Sequence, residues 1–307
     1  AGWCAGFIVA VALTVGVFLK SWRAQTFVIF LSWLNFPPFD WERPEQPSPA
    51  WAAFTPKRGY PGLRGVDSVE IQSPSGVLRG WRVHPEGTPR NVTIVYLHGN
   101  AGNIAVDHRV ALYQVLRKPP LSCTVLALDY AGFGASDSVW PTESTAAADA
   151  DAIVSSALGD PEAGAVVVWG HSLGTGIGMS ALHERVKEGK PMPAGVFLEA
   201  PFTSLAEEGV SFAWFLPASL QSWLLQAAQA SLAYQMDSAS RISAVAAACH
   251  VAILHGVGDL VVPHALGVRL GEVAGVPVTS FERGHSDICV DPSLPAVVDS
   301  LLRGWGL

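Results

Sequence analysis

The sequence predicts an α/β fold in which a mostly parallel sheet is covered by helices on both faces. Strand-like apolar runs alternate with helical patterns from residue 66 to the end of the chain. Most of these runs are continuously apolar, which indicates strands that are buried on both sides. Polar, glycine-rich loops follow them, at the strand ends where such sheets bind ligands. We therefore predict one α/β domain at 66–307.

The strands and helices follow one another in a simple order. A hairpin comes first, with Val66–Ser73 and Val77–His84 separated by a Pro-Ser-Gly turn. The buried strands expected after it are 92–97, 124–128, 165–169, 196–198, 251–254 and 278–281. The helices expected between and after them include 106–116, 142–158, the stretch beyond Gly174 and a closing helix at 295–305.

The sequence Gly170-His171-Ser172-Leu173-Gly174 directly follows the apolar run at 165–169. In a tight strand-to-helix turn only glycine fits beside the serine, and the strained turn exposes the hydroxyl. The first amides of the following helix are free to bind an anionic oxygen. Ser172 is therefore the predicted nucleophile, and the N–H of Leu173 is a predicted oxyanion donor. The alternative is a glycine-rich turn with an inactive serine.

A serine nucleophile needs a base to take its proton and a carboxylate to orient that base. In sheets of this kind the acid and then the histidine follow the serine along the chain. Asp259 lies just past a predicted strand, and His285 follows the last strand. They are the predicted acid and base, with Glu199 and Asp129 as alternative acids.

The other histidines are predicted to be structural. His98 and His171 lie beside the predicted site and would brace loop backbone through hydrogen bonds. His108 and His183 lie in helical patterns, where a solvated face is expected. The remaining candidates are strand-end or helix-start residues, namely His250, His255 and His264.

The second oxyanion donor is expected from the loop that follows the strand at 92–97. The N–H of Asn100 is the predicted donor, with Ala101 as the alternative. The Asn100 side chain could also cap the helix that follows, as Asn often does.

The N-terminal region has the composition of a membrane anchor. Residues 1–19 carry no charge, and this stretch is long enough for a membrane-spanning helix. A shorter uncharged stretch with flanking tryptophans follows Arg23. We predict a spanning and interfacial anchor at 1–36 and a proline-rich linker at 37–65. A signal peptide is the competing explanation, but no clear cleavage site is present. Lys20 and Arg23 favour a cytosolic domain, and the orientation stays open.

A long segment between the predicted strands at 196–198 and 251–254 suggests a lid at about 201–245. Its central part, 209–236, has no formal charge. Its large aromatic residues are candidates for substrate binding, namely Phe212, Trp214, Phe215 and Trp223. We predict a lid that forms an acyl-chain pocket and dips into a bilayer. The alternative is that the segment simply buries against the core.

Composition excludes several other functions. The net charge is −7 and no Lys/Arg cluster is present, which argues against nucleic-acid binding. The four cysteines are scattered and suggest neither disulfides nor a zinc site. We expect no metal and no cofactor, and the sequence carries no signal for an oligomeric state.

Together these motifs resemble those of the membrane-anchored lipases of the α/β-hydrolase superfamily. The matching stretches, in chain order, are 96–102, 107–110, 129–136, 169–176, 201–203, 259–263 and 285–287. The resemblance implies the α/β-hydrolase fold, an endoplasmic-reticulum membrane protein that faces the lumen, and Ser172, Asp259 and His285 as nucleophile, acid and base. The sequon at Asn91 would suit a lumenal face. The lid does not match closely, so head-group preference stays open.

The predicted function is a serine esterase that cleaves single-chain lipid esters, such as lysophosphatidylserine, other lysophospholipids or monoacylglycerols. Its partners would be the lipid ester and the membrane. One alternative is a thioesterase that removes palmitate from proteins. Another is a non-catalytic membrane adaptor, against which the complete set of Ser172, Asp259 and His285 argues.

Overall fold

The computed structural model describes residues 21–44, 63–213 and 215–307, and an eight-stranded sheet forms its centre. The strands are β1 Val66–Ser73, β2 Gly76–Val83, β3 Val92–Leu97, β4 Thr124–Leu128, β5 Ala165–His171, β6 Gly195–Glu199, β7 His250–Gly256 and β8 Val278–Phe281. Their order in the sheet is β1-β2-β4-β3-β5-β6-β7-β8. β2 runs antiparallel to both of its neighbours, and the pairs from β4 to β8 are parallel. The predicted mostly parallel sheet is confirmed.

Helices cover both faces of this sheet. They are α1 Trp22–Ile29, α2 Asp107–Arg117, α3 Glu143–Gly159, α4 Leu173–Glu188, α5 Leu205–Ser211, α6 Ala218–Ser231, α7 Ser238–Ala246, α8 His264–Ala274 and α9 Leu294–Gly304, with a 3-10 turn at Ile288–Val290. One hydrophobic core lies under α3, α4, α7 and α8, and a second lies under α2 and α9. Along β5, Val166 and Val168 point into the first core, whereas Val167 and Trp169 point into the second. This explains why the strand reads as one apolar run.

The segment between β6 and β7 contains α5, α6 and α7. α6 buries none of its residues, so it stands clear of the sheet. The chain returns to the domain just after it, where Tyr234 and Met236 are buried, and α7 then packs Ile242 and Val245 into the core. α6 is therefore the part of the predicted lid that is not core. We call the described residues of 205–231, which contain α5, the turn after it and α6, the lid.

The described N-terminal residues pack against the domain. Among the described residues, no helix is long and apolar enough to cross a membrane. The predicted span at 1–19 lies outside them, as does the linker from 45 to 62. After the short helix α1, Phe30 is fully buried, with its ring edge-on to Phe133 and to Tyr234. The side chain of Gln25 donates to the carbonyl oxygen of Ser231 at the end of α6, and this contact places α1 beside the lid.

Candidate active site

Ser172 lies in a strained turn between β5 and α4. Its backbone has φ of +52° and ψ of −121°, a conformation that L-residues rarely adopt. A Cβ at Gly174 would lie 2.1 Å from the carbonyl oxygen of Leu97, and one at Gly170 would lie 2.7 Å from the carbonyl oxygen of Gly174. The two glycines of the motif are therefore required by the close approach of backbone, as predicted.

Three side chains form a hydrogen-bonded chain at the carboxyl ends of the strands. The Oγ of Ser172 lies 2.9 Å from Nε2 of His285. The Nδ1 of His285 lies 2.8 Å from Oδ2 of Asp259. Both distances are within the range for proton transfer and for orienting a base. The structure thus brings together the three residues that the sequence predicts, from the turn before α4 and from the loops after β7 and β8.

The carboxyl group of Asp259 is fully buried and is held by several donors. Its Oδ1 accepts hydrogen bonds from the amides of Val261 and Val262, each at 2.8 Å, and Nε2 of His255 lies 3.3 Å from Oδ2. Burial acts to raise the pKa of this carboxyl, but hydrogen bonds from His255 and His285 outweigh it. The net pKa lies well below its ordinary value. Asp259 is therefore an ionised partner for His285 at neutral pH.

The alternative acids occupy other environments. Glu199 accepts a hydrogen bond from Nε1 of Trp169 at 2.7 Å, and burial raises its pKa to about 7. Asp129 accepts from the amide of Ile104 at 2.9 Å, and burial again raises the pKa to about 7. Among the described residues, neither carboxyl group shares a hydrogen bond with His285.

Two of the predicted structural histidines brace this site. The Nε2 of His171 lies 2.9 Å from the carbonyl oxygen of His285, and Nδ1 of His98 lies 2.8 Å from the carbonyl oxygen of Gly99. The prediction of a solvated His108 is wrong. Its Nε2 is buried, its ring lies 5.3 Å from that of His171, and burial lowers its pKa to about 3. Helical periodicity did not predict this, because the buried face is created by a loop from elsewhere in the chain.

The loop after β3 lies beside the nucleophile and carries the two candidate oxyanion donors, Asn100 and Ala101. A Cβ on Gly99 would lie 3.2 Å from that of the serine, so the loop packs directly on the turn. The N–H of Ala101 donates to the carbonyl oxygen of Phe30 at 3.0 Å. The N–H of Asn100 has no acceptor among the described residues, and the N–H of Leu173 lies in the first turn of α4. Asn100 is thus better placed than Ala101 to complete the predicted pair of donors.

The nucleophile opens onto an apolar cavity of about 620 Å³. The described residues that line it include Ser172, Asn100, Leu173, Phe202, Leu205, Leu224, Leu232 and Val261, together with Val28 and Ile29 from α1. Of the predicted lid residues, Phe212 and Trp223 line the cavity. Phe215 is 69% exposed and is not among the described lining residues, while Trp214 lies outside the described residues.

Glu208 and His255 belong to this site and were not predicted. Glu208 is the one charged side chain among the described residues that line the cavity, and burial raises its pKa to about 7. It lies on α5, and only the packing of the lid turns it toward the cavity. His255 was predicted as a strand-end residue, and its contact with Asp259 depends on the path of the loop after β7.

A second cavity, of about 710 Å³, is larger but lacks this chemistry. Ion pairs line it, between Arg241 and Glu143 and between Arg185 and Asp151. Its Ser180 hydroxyl contacts Glu143 and the backbone, with no histidine partner among the described residues. In the same described ranges, no group of three or more His, Cys, Asp or Glu residues could hold a metal ion.

Comparison with known sequences finds relatives that share one fold family and one name. Residues 92–264 match the family model described as the alpha/beta hydrolase fold. The lysophosphatidylserine lipase ABHD12 of Danio rerio is 28% identical over 341 residues, covering 98% of this chain and 82% of the relative. The ABHD12 of Xenopus tropicalis is 31% identical over 304 residues, covering 87% of this chain and 70% of the relative. That of Bos taurus is 35% identical over 239 residues, and the chain spans about half of its length, 55%.

Comparison with solved structures supports the same fold. The Pyrococcus furiosus esterase PF2001 aligns with a TM-score of 0.57 at 19% identity, covering 79% of this chain and 91% of the esterase. Est1E from Butyrivibrio proteoclasticus aligns with a TM-score of 0.55 at 15% identity, covering 78% and 98%. The resemblance that the motifs predict is confirmed. The chain belongs to the α/β-hydrolase family and, within it, groups with the ABHD12 proteins.

Proposed function

We propose that this chain hydrolyses the acyl ester of a single-chain lipid, either a lysophospholipid such as lysophosphatidylserine or a monoacylglycerol. The chain is a serine ester hydrolase of its family. The observation that carries the proposal is the hydrogen-bonded chain Ser172–His285–Asp259, which opens on an apolar cavity of about 620 Å³. A cavity of this size and polarity suits one hydrocarbon chain. The relatives named lysophosphatidylserine lipase support the choice of head group.

In the first half-reaction, Oγ of Ser172 attacks the ester carbonyl while Nε2 of His285 takes the hydroxyl proton. Asp259 accepts the Nδ1–H hydrogen bond and stabilises the imidazolium without becoming protonated, which suits its depressed pKa. The amides of Asn100 and Leu173 bind the oxygen anion that forms. His285 then gives its proton to the departing alcohol oxygen, and an acyl-enzyme remains.

In the second half-reaction, water attacks the acyl-enzyme and His285 acts as base again. The C–O bond to Ser172 breaks, and His285 returns the proton to the serine oxygen. A free fatty acid leaves from the apolar cavity. The head group and glycerol leave earlier, as the alcohol of the first half-reaction.

We infer further that the enzyme works at a membrane surface, as the resemblance to endoplasmic-reticulum lipases implies. α1 and the lid both contribute residues to the cavity, so its rim lies between them. Large apolar side chains are exposed on α1, on the turns after it and on the lid, including Trp22, Phe27, Trp33, Phe212, Phe215 and Trp223. A contiguous exposed apolar surface beside an acyl pocket is typical of lipid contact. The predicted anchor at 1–36 would hold this surface near the bilayer.

The test is hydrolysis by the wild type and by Ser172→Ala of three substrates: lysophosphatidylserine, a monoacylglycerol and an S-palmitoyl peptide. We expect fatty-acid release from a lipid ester, and Ser172→Ala should lower kcat on the order of 10⁵- to 10⁶-fold. Ser180→Ala, which alters a serine of the other cavity, should keep most of the activity. If the enzyme cleaved the S-palmitoyl peptide but neither lipid ester, the result would support a thioesterase instead. Full activity of Ser172→Ala would end the proposal.

A further inference from the structure

Arg109 is a buried arginine that binds the loop carrying Asn100. It lies on α2 and is 2% exposed. One of its terminal nitrogens, Nη2, donates to three successive carbonyl oxygens, those of Gly99 at 3.3 Å, Asn100 at 3.1 Å and Ala101 at 3.0 Å. The other, Nη1, donates to the carbonyl oxygen of Asn103 at 2.8 Å. Four carbonyl groups of one loop therefore accept hydrogen bonds from a single guanidinium.

Among the described residues, no carboxylate forms an ion pair with Arg109. Its charge is balanced by carbonyl dipoles, which is unusual, because a buried charge normally needs a paired partner. Burial and the Arg109 charge both lower the pKa of His98 and of His108, so these rings stay neutral beside it. The loop carbonyls are thus the groups that are hydrogen-bonded to this cation, and the buried Asp129 interacts with its charge without a direct contact.

The direction of these carbonyls sets the direction of the amides. In a trans peptide the C=O of one residue and the N–H of the next point in opposite directions. With the carbonyls of 99, 100 and 101 turned toward Arg109, the amides of 100, 101 and 102 turn away from it. The amides of Ala101 and Gly102 then donate to the carbonyl oxygens of Phe30 and Leu34. The amide of Asn100 has no acceptor among the described residues, and Asn100 lines the same cavity as Ser172.

We propose that Arg109 is a positioning residue that aims the Asn100 amide at the oxyanion formed on the substrate. This inference rests on the oxyanion role given to Asn100 in the proposed function. Oxyanion donors are effective only when they are oriented before the reaction. The loop needs such support, because Ala101 has φ of +57° and a strained residue persists only where surrounding contacts hold it. The planar fork of arginine can reach several carbonyls at once, whereas a lysine ammonium cannot.

The test compares Arg109→Lys and Arg109→Met with the wild type, using the soluble ester p-nitrophenyl butyrate. We expect kcat to fall about 10²-fold in Arg109→Met and less in Arg109→Lys, with KM changed by no more than about twofold. The pH–rate profile should keep its shape, because the substitutions leave the hydrogen bonds among Ser172, His285 and Asp259 in place. A lower kcat with an unchanged KM and an unchanged pH–rate profile is specific to oxyanion positioning. A general loosening of the site would change KM and the pH–rate profile as well.

A matched control is available in Arg185, which is 3% exposed and also binds a backbone carbonyl, that of Pro191, outside the site. Arg185→Met should lower the melting temperature in the same way as Arg109→Met, yet leave kcat within about twofold of the wild type. Equal losses of kcat in the two variants, or an unchanged kcat in folded Arg109→Met, would overturn the proposal.

A second measurement needs no variant and tests the oxyanion role of Asn100, without which the proposal fails. Phosphonylation of Ser172 by a fluorophosphonate forms an adduct with a tetrahedral phosphorus, whose phosphoryl oxygen takes the place of the oxyanion beside the loop. In ¹⁵N NMR spectra we expect the Asn100 amide proton to shift downfield in the adduct and the Ala101 proton to keep its position. The reverse pattern would overturn the proposal. Because neither probe is a lipid, the inference can stand even where the proposed lipid substrate is wrong.

Discussion

At the scale of single residues, three buried carboxyl groups near the sheet differ in the donors around them. Asp259 receives two backbone amides and two histidines, and its pKa lies below the ordinary value. Glu199 and Asp129 are buried with fewer donors, and burial raises the pKa of each to about 7. Asp259 can therefore stay ionised at neutral pH. This suits it to orient His285, because the acid in that role must be ionised.

Asp259→Asn tests this assignment. The variant keeps the shape of the side chain but cannot stabilise the imidazolium, so we expect kcat to fall about 10⁴-fold. Steady-state hydrolysis of p-nitrophenyl butyrate measures the effect. Glu199→Gln is the matched comparison and should retain kcat within about threefold. A large loss in Glu199→Gln together with a small loss in Asp259→Asn would transfer the role to Glu199.

At the scale of elements, the lid is attached at its ends, and its second helix, α6, is exposed along its length. α6 buries no residue, whereas the segment after it is tied to the domain. Glu143 accepts hydrogen bonds from the amides of Gln235 and Met236, and the Gln25 side chain of α1 binds the backbone of Ser231 and Ala233. These ties hold α1 and the lid beside one another. Their apolar side chains can therefore contact the same lipid surface.

The double variant Phe215→Ser/Leu220→Ser tests the lid as a lipid-contacting element. Both side chains are exposed and lie outside the cavity lining, so the hydrolysis of p-nitrophenyl butyrate should change by no more than about twofold. We expect the apparent KM for a monoacylglycerol in vesicles to rise about tenfold or more, because burying one such side chain in lipid contributes about 1.5–3 kcal/mol. Trp140→Ser removes an equally exposed aromatic from another loop and should have little effect. An unchanged vesicle KM in the double variant would contradict lipid contact by the lid.

At the scale of the whole molecule, buried carboxyl groups make stability depend on pH. The folded-state pKa of Glu199 is about 7, against an ordinary value of 4.5. Between these pH values the folded chain keeps a proton that the unfolded chain has released. Stability is therefore lost as pH rises through this window, and Asp129 acts in the same direction.

Glu199→Gln removes the contribution of Glu199 while keeping an acceptor for Nε1 of Trp169. Relative to wild type, its free energy of unfolding should increase by about 3 kcal/mol between pH 4 and pH 8, since one pKa unit corresponds to about 1.4 kcal/mol. Urea denaturation at a series of pH values measures the difference. Glu272→Gln, at an exposed position of α8, should follow the wild type at each pH. A difference between Glu199→Gln and wild type that does not vary with pH would show that folding does not shift the pKa of Glu199.

The sequence by itself determined the sheet, its parallel core and the three residues Ser172, Asp259 and His285. Each of these depends on a local pattern. A strand buried on both faces needs a continuous apolar run, and the turn around Ser172 needs two glycines where backbone approaches within 3 Å of a Cβ. The acid and base were found because they follow predicted strands in the expected order. The lid was also visible, as a long uncharged segment.

Only the tertiary structure decided which groups surround those three residues. The choice of Asn100 over Ala101 depends on a carbonyl group of Phe30, some seventy residues earlier in the chain. The burial of His108, the carbonyl contacts of Arg109 and the entry of Glu208 into the cavity likewise join segments that are distant in sequence. Hydrogen-bond direction and burial are properties of the packed chain. A residue's local sequence does not contain them.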